Sequence, residues 1–525
     1  MRLGFADTDK FLHNPRERER NGQIMNKSNK KADKLYSHLV DLIVIMIALV
    51  ANIILYTVGN IIGLDYYYYD EYDYSLSGTT DAVFGDAIAE GKKVKISFCM
   101  AEGDVKNHST GSEVYQTAKN FAERYPEFIE LDYINIITRQ DKDGNLINLS
   151  KYKTDMLGNE TRIYKTSIIF ECGENYKVLT DTQTATGYSS FYNLDSSMYI
   201  TSYNGEEVMA SMISWVTKEE HKKAYFTMHH GETADIAFTN LLSCAGYYVD
   251  VLDLRKQSVP DDADLLIISN PTSDFEAARE GSNLYTEIDR LKAYVERGGN
   301  LYVALDPYVK TLTVLEGFLA DCGIRFSSSE SANGKKIRNM IRDSQNAITV
   351  DGFTLIAEYA GGDIAGAISS KVSSYSDGGV IVREISALEL SGNAKPILIS
   401  SSASVLEAGG KTVSSTGGYC MAACSEVVGE SGNTAKVFVI PSVYLAVSDA
   451  LVSREYSNKD FIYSVFENLF GDKNLPYGCR AVMYNTQVLE NLTMGTARVY
   501  TVLVMLIPVA IAITGSVILI KRKNR

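Results

Sequence analysis

The sequence predicts an α/β protein with largely parallel sheets, held between two transmembrane helices. Three observations predict it. Residues 42–62 and 499–520 are predominantly apolar and contain no Asp, Glu, Lys, Arg or His. Between them, short apolar runs alternate with helix-patterned segments, the order that builds a parallel, doubly wound sheet. The chain of 525 residues, 45% apolar and 22% charged, has ordinary globular composition and room for two or three domains.

The elements follow in chain order. Residues 1–41 form a basic segment in which Lys27, Lys30, Lys31 and Lys34 approach the first apolar run. A helix of ~21 residues rises ~31 Å, enough for a hydrocarbon core of ~30 Å, so residues 42–62 read as a span. The run exceeds a signal-peptide core of roughly 7–15 residues and ends in "GNIIGLDYYYYD", which offers no small-residue cleavage site. It reads as an uncleaved anchor. Residues 499–520 form the second expected span, and Lys521, Arg522, Lys523 and Arg525 close the chain. Basic flanks place both termini in the cytoplasm of a two-span cell-membrane protein, with residues 63–498 extracytoplasmic. The Tyr66–Tyr69 run suits an interfacial aromatic belt beside membrane lipid.

Net charge is −14 and the acidic excess falls within residues 63–498, which argues against nucleic acid as a partner. All seven cysteines also fall there. An odd, scattered set is not a disulfide framework, and no CxxC pair supports a zinc ribbon or a dithiol centre. Cys420 and Cys424 share the strand-like "YCMAACSEVV", where they stand too far apart to bond.

Within 63–220, "GKKVKISFCM", "EVYQTAKNFAERYPEFIELDYINI" and "KTSIIFECGENYKVLT" read as strand, helix–strand and hairpin, the layout of a small thioredoxin-like domain without redox cysteines. "TSYNGEEVMASMISWVTKEE" is a linking helix. Residues 221–475 form the larger domain. Its strand at Ala224–Thr227 is followed by the helix "ADIAFTNLLSCAG", with Ala237, Phe238, Leu241, Leu242 and Ala245 at core spacing and Gly246 as its stop. "YYVDVLDL", "ADLLIIS" and "NLYVALDP" are further strands, and "EIDRLKAYVERGG" is a helix with Ile288, Leu291 and Val295 on one face. From about 324 to 434 the texture turns Ser/Gly-rich, an irregular insertion. "AKVFVIPSVYLA" and "NKDFIYSVFENLFG" resume the α/β pattern. Residues 476–498 lead to the second apolar run.

The ordered set of motifs resembles the Gldg-type auxiliary components of ABC transport systems, named for gliding motility. It comprises "YSLSGTT", "YFTMHHGE", "GYYVDVLDL", "VPDDADLLIISNP", "EIDRLKAYVERGGNLYVALDP", "KPILISSS", "KVFVIPSVYLAVSDAL" and the final apolar run with its basic tail. The resemblance implies a non-catalytic subunit working beside a separate ABC ATPase and permease, with a large domain resembling class I glutamine amidotransferases. The family's turn usually reads Gly-His-Gly-Glu, and here His229 replaces its first glycine.

The stretch "FTMHHGETAD" carries the candidate chemistry. Strand ends in a parallel sheet converge on one crevice, which would gather His229, His230, Gly231, Glu232, Asn270 and Asp306. Three readings compete. A metal centre needs three or four converging ligands, and adjacent histidines on extended backbone point apart. A hydrolase with His230, Glu232 and Asp306 as its acid/base set needs a nucleophile, yet no cysteine follows a central strand and Cys244 sits inside a helix pattern. The structural reading makes Gly231 the turn and has Glu232 cap the next helix or bond His230. It leads here, with a ligand crevice beside it, so no catalytic residue, metal or cofactor is expected. Gly409-Gly410-Lys411-Thr412 only mimics a phosphate loop, because the glycine required five residues before Gly410 is Val405. ATP hydrolysis would have to come from a partner.

Overall fold

The computed structural model describes residues 73–155, 160–180, 189–194, 199–277, 285–331, 333–453 and 455–484, together with His38, Leu39, Met46 and Gly515. Within the compact unit Tyr72–Arg525, a helix at Thr80–Ala89 precedes β1 (Val94–Phe98). The helix Ser112–Arg124 leads into β2 (Ile129–Tyr133) and buries Val114, Tyr115, Ala118 and Phe121, the stripe expected of a helix lying on a sheet. β3 (Ile168–Cys172) and β4 (Asn175–Leu179) form a hairpin. The sheet order is β2-β1-β3-β4, with β1 parallel to β2 and antiparallel to β3. A second, short sheet pairs β5 (Tyr192–Leu194) with β6 (Ile200–Tyr203) and the strand Val482–Met483.

The helix Gly205–Thr217 is apolar on nearly every side and almost wholly buried. It packs on β3 and β4 and also against the helix Ile236–Cys244, which belongs to the larger sheet. A buried ion pair reinforces that junction. Lys459 Nζ lies 3.0 Å from Glu207 Oε2, and the Tyr463 hydroxyl donates to Glu207 Oε1 at 2.6 Å.

The larger sheet is built on β7 (Lys223–Thr227), β8 (Tyr248–Leu252), β9 (Leu265–Ser269), β10 (Asn300–Ala304) and the strand Thr434–Ile440. These five run parallel in the order β8-β7-β9-β10-(434–440). In chain order that is 2-1-3-4-5, the flavodoxin-like doubly wound arrangement. β9 shows why: in "LLIIS", Leu265 and Ile267 join Phe226, Phe238 and Phe438 on one face, while Leu266 and Ile268 join Leu291, Val295 and Phe318 on the other. A strand covered by helices on both faces needs a continuous apolar run.

Two expectations are corrected. The first is the two-span membrane architecture. Among the described residues no helix is long and apolar enough to cross a membrane. The longest reach 13 residues, or ~20 Å at the helical rise, short of a core of ~30 Å. The apolar runs 42–62 and 499–520 lie outside the described residues except for Met46 and Gly515. The cell-membrane placement, the cytoplasmic termini and the extracytoplasmic assignment of 63–498 have no support in the structure and are withdrawn. The second correction concerns the amidotransferase-like parallel sheet, which is mixed. The region expected as an irregular insertion contributes Cys420–Val428, Lys395–Ile399, Thr354–Tyr359 and Val380–Arg383, paired antiparallel in that order outward from Thr434–Ile440. These short segments bury their apolar side chains by extending the existing sheet.

Candidate functional site

The turn "FTMHHGETAD" leaves β7 at the point where the strand order reverses. The chain goes from β7 out to β8 and then crosses back to β9, and open α/β sheets bind ligands outside the strand ends at such a place. Three residues there adopt left-handed backbone: His229 at φ 82°, Gly231 at φ 77° and Asn270, just after β9, at φ 54°. For a non-glycine residue this costs ~1–2 kcal/mol. The turn thus keeps a glycine-like conformation at His229. The His229 Nε2 lies 3.3 Å from Asp253 Oδ2. Arg255 and Lys256 reach the same carboxylate at 3.0 and 3.1 Å. Hydrogen bonding from Arg255, aided by Lys256 and opposed by burial, holds the Asp253 carboxyl well below the usual range.

His230 points the other way and is only 4% exposed. Its Nδ1 lies 2.9 Å from Glu232 Oε1 and its Nε2 3.0 Å from Glu287 Oε2. Two carboxyl groups facing the ring call for a donor at each nitrogen, the arrangement that an imidazolium supplies. The ring also stacks on Phe275 with centroids 3.9 Å apart, and the His230 backbone N–H donates to Glu232 Oε2 at 2.6 Å. Burial works against the charged ring, but the hydrogen bonds and charges of Glu232 and Glu287 outweigh it and raise the His230 pKa. Burial likewise opposes the Glu232 carboxylate, and the bonds from His230 prevail and lower its pKa.

Glu287 is positioned by the helix it opens. Thr286 and Asp289 form a capping box at that N-terminus, where a carboxylate is also favoured by the helix dipole. Glu287 Oε2 additionally accepts the Glu276 backbone N–H at 2.8 Å. The loop after β9 is tied to the turn, with the Thr272 and Ser273 N–H groups donating to the His230 carbonyl at 2.8 and 2.9 Å. Gly231 is required there twice over, since a Cβ would sit 2.1 Å from Thr272 Oγ1 on a left-handed backbone.

The six candidate residues therefore separate. His230, Gly231 and Glu232 form one unit. His229 turns away to Asp253. Asn270 joins through its Nδ2, which donates to Thr233 Oγ1 at 3.0 Å. Asp306 stands apart: its carboxylate accepts the Tyr308 N–H at 2.8 Å, and among the described residues it shares no hydrogen bond or ion pair with His230 or Glu232. The next helix is capped by Asp235, which accepts the Ala237 N–H, and Glu232 is spent on His230. Sequence reasoning missed Glu287, Phe275, Asp253 and Thr272. Glu287 carried one legible signal, an acidic side chain opening the helix that follows β9.

Beside the turn lies a cavity of about 610 Å³ lined by Phe226, Met228, His229, Val249 and Val251. Thr227 also lines it, and its hydroxyl is buried without a partner among the described residues. The strained residue at the end of β9 is an asparagine, which has no nucleophile to offer. Cys244 ends a helix, and burial pushes its thiol up to about 12. The described residues contain no group of three or more His, Cys, Asp or Glu side chains placed to hold a metal ion.

No known family model matches the chain, and no curated protein matches it. The "mmIFT52 N-terminal domain" is similar at 14% identity and a TM-score of 0.34, over 47% of this chain and 96% of that one. A putative ThuA-like protein from Bacteroides uniformis follows at 11% and 0.29, over 49% and 95%. PurLQS from Thermotoga maritima stands at 12% and 0.26, over 47% and 99%. Likeness this weak carries no argument about fold or function.

Proposed function

We propose that the chain is a non-catalytic accessory subunit of an ABC transporter, a binding and scaffolding partner for a separate ATPase and permease. Two supports stand behind this. The transport assignment rests on the ordered motif resemblance in the sequence, most of it carried by motifs between the two apolar runs. The non-catalytic assignment rests on one observation: both ring nitrogens of His230 are occupied by carboxylates in a buried stack. A general base needs a free nitrogen within reach of the proton it takes. His230 has none, and among the described residues no hydroxyl or thiol is hydrogen-bonded to its ring. The crevice supports binding rather than chemistry, because its cavity of about 610 Å³ has mostly apolar walls.

The test is affinity purification of the tagged full-length chain from its native cells, with mass spectrometry of the eluate. Stoichiometric recovery of an ABC ATPase and a multi-span permease is the expected result. A chain that purifies alone, with a hydrolytic activity abolished by His230→Ala, would overturn both parts.

A further inference from the structure

Where the two large sheets approach each other, several hydrogen-bond donors lack acceptors. Trp215 lies in the last turn of the helix Gly205–Thr217 and is 1% exposed. The His221 ring stacks on it with centroids 3.7 Å apart and 3° between planes. Tyr248, the first residue of β8, meets Trp215 edge-on at 5.5 Å. Lys177 of β4 places its Nζ 4.7 Å from the Trp215 ring centroid and 5.6 Å from that of Tyr248. β4 and β8 are edge strands of their sheets, so the stack bridges two open edges.

The polar atoms of this stack are unmet. The Trp215 Nε1 and both His221 ring nitrogens are buried with no hydrogen-bond partner among the described residues. The Lys177 ammonium, on a half-buried side chain, lies over these ring faces and makes no hydrogen bond or ion pair with a described residue. Indole N–H and ammonium can only donate, and a neutral imidazole adds one donor and one acceptor, so donors outnumber acceptors here. Buried donors left unmet are costly, and natural structures seldom retain them without a reason. What is absent is an acceptor, and beside an unpaired ammonium a charged acceptor is favoured. We propose that a small oxyanion, a carboxylate or phosphate group, binds at the edge of Trp215 beneath Lys177 and bridges the two sheets.

The surrounding charges agree. Burial, with the Lys177 and Lys218 charges added, lowers the His221 pKa to about 4, and burial lowers Lys177 to about 8. A bound anion would raise both. The Asp155 charge partly offsets the effect of burial on Lys177. Thr217 and Lys218, between Trp215 and His221 in the chain, line a cavity of about 440 Å³. That cavity also carries carboxylates, Asp472 and Glu220 among them, so its own charge does not select the ligand.

Trp215 is the only tryptophan in the chain, so intrinsic fluorescence reads the site directly. Full-length protein is titrated with inorganic phosphate, and separately with acetate, at constant ionic strength balanced with chloride. A saturable change in Trp215 emission is expected. Lys177→Met should weaken it at least tenfold. His221→Phe, which keeps the stacked ring and removes its nitrogens, should weaken it severalfold. The more effective probe identifies the ligand as phosphate-like or carboxylate-like. No saturable response to either anion, or an undiminished response in Lys177→Met, overturns the proposal. Circular dichroism checks the fold of each variant. If Lys177→Met does not fold, His221→Phe decides, with an unchanged response counting against the site.

Discussion

Replacing His230 with alanine is the sharpest perturbation of the switch-point turn. The side chain is 4% exposed, and the side chains of Glu232 and Glu287 are 8% and 3% exposed. The deletion leaves two carboxylates facing one another in a dry site. Removing one member of a buried ionic group costs ~3–5 kcal/mol, and losing the stack on Phe275 adds ~0.5–1.5 kcal/mol. Urea unfolding followed by Trp215 fluorescence and far-UV circular dichroism should show a loss of at least ~3 kcal/mol. His230→Phe combined with Glu232→Gln and Glu287→Gln should recover much of it, because the buried charges disappear while the stacked ring remains. The pH dependence follows from the shifts. His230 is raised in the folded state, so its contribution is full below its unfolded value of ~6.5 and fades as pH rises through the folded value. Glu232 is lowered, so its contribution is present above its unfolded value of ~4.5 and fades as pH falls through the folded one. The turn should be most stable between these limits, and His230→Ala should erase the loss on the alkaline side. A destabilisation under ~1 kcal/mol with an unchanged pH profile would refute the lock.

Three further outcomes follow. Gly231→Ala should destabilise by ~2–3 kcal/mol through left-handed backbone and the clash with Thr272 Oγ1, and Thr272→Ala should rescue only the steric part. Lys459→Met should destabilise by ~3–5 kcal/mol by stranding Glu207, whereas Lys459→Met with Glu207→Gln should lie closer to wild type in the same unfolding assay. All seven cysteines are free, and burial pushes the Cys99, Cys244, Cys322, Cys420 and Cys424 thiols up to about 12. A thiol reagent on the native protein should therefore react first at half-buried Cys172 and slowly elsewhere, as peptide mapping would show.

How far the sequence could be read depended on the range of the interaction. The helix Ile236–Cys244 was legible because Ala237, Phe238, Leu241 and Leu242 repeat at helical spacing and Gly246, at φ 99°, stops it. β9 was legible as a short continuous apolar run. The antiparallel extension was not. Thr354–Tyr359 and Lys395–Ile399 are short strands whose partners lie far along the chain, and nothing local names those partners. The two apolar runs invited a membrane reading by length and hydropathy alone. The site divided along the same line. The bonds of Glu232 to His230 span two residues and were within reach of inspection. The bond from His230 to Glu287 spans 57 residues and needed the crossover that brings one helix N-terminus to the switch point.

The account turns on the protonation of His230, because a buried imidazolium held by two carboxylates is a structural lock and a neutral ring with a free nitrogen could be a base. The direct measurement is a long-range proton–nitrogen NMR titration of the six histidines, with His230 assigned by its loss in His230→Ala. A doubly protonated ring that persists above ~6.5 and releases its proton only as the turn loosens is the result this structure requires. A neutral single tautomer at that pH, with one nitrogen open to the crevice, would contradict the lock and reopen the case for catalysis.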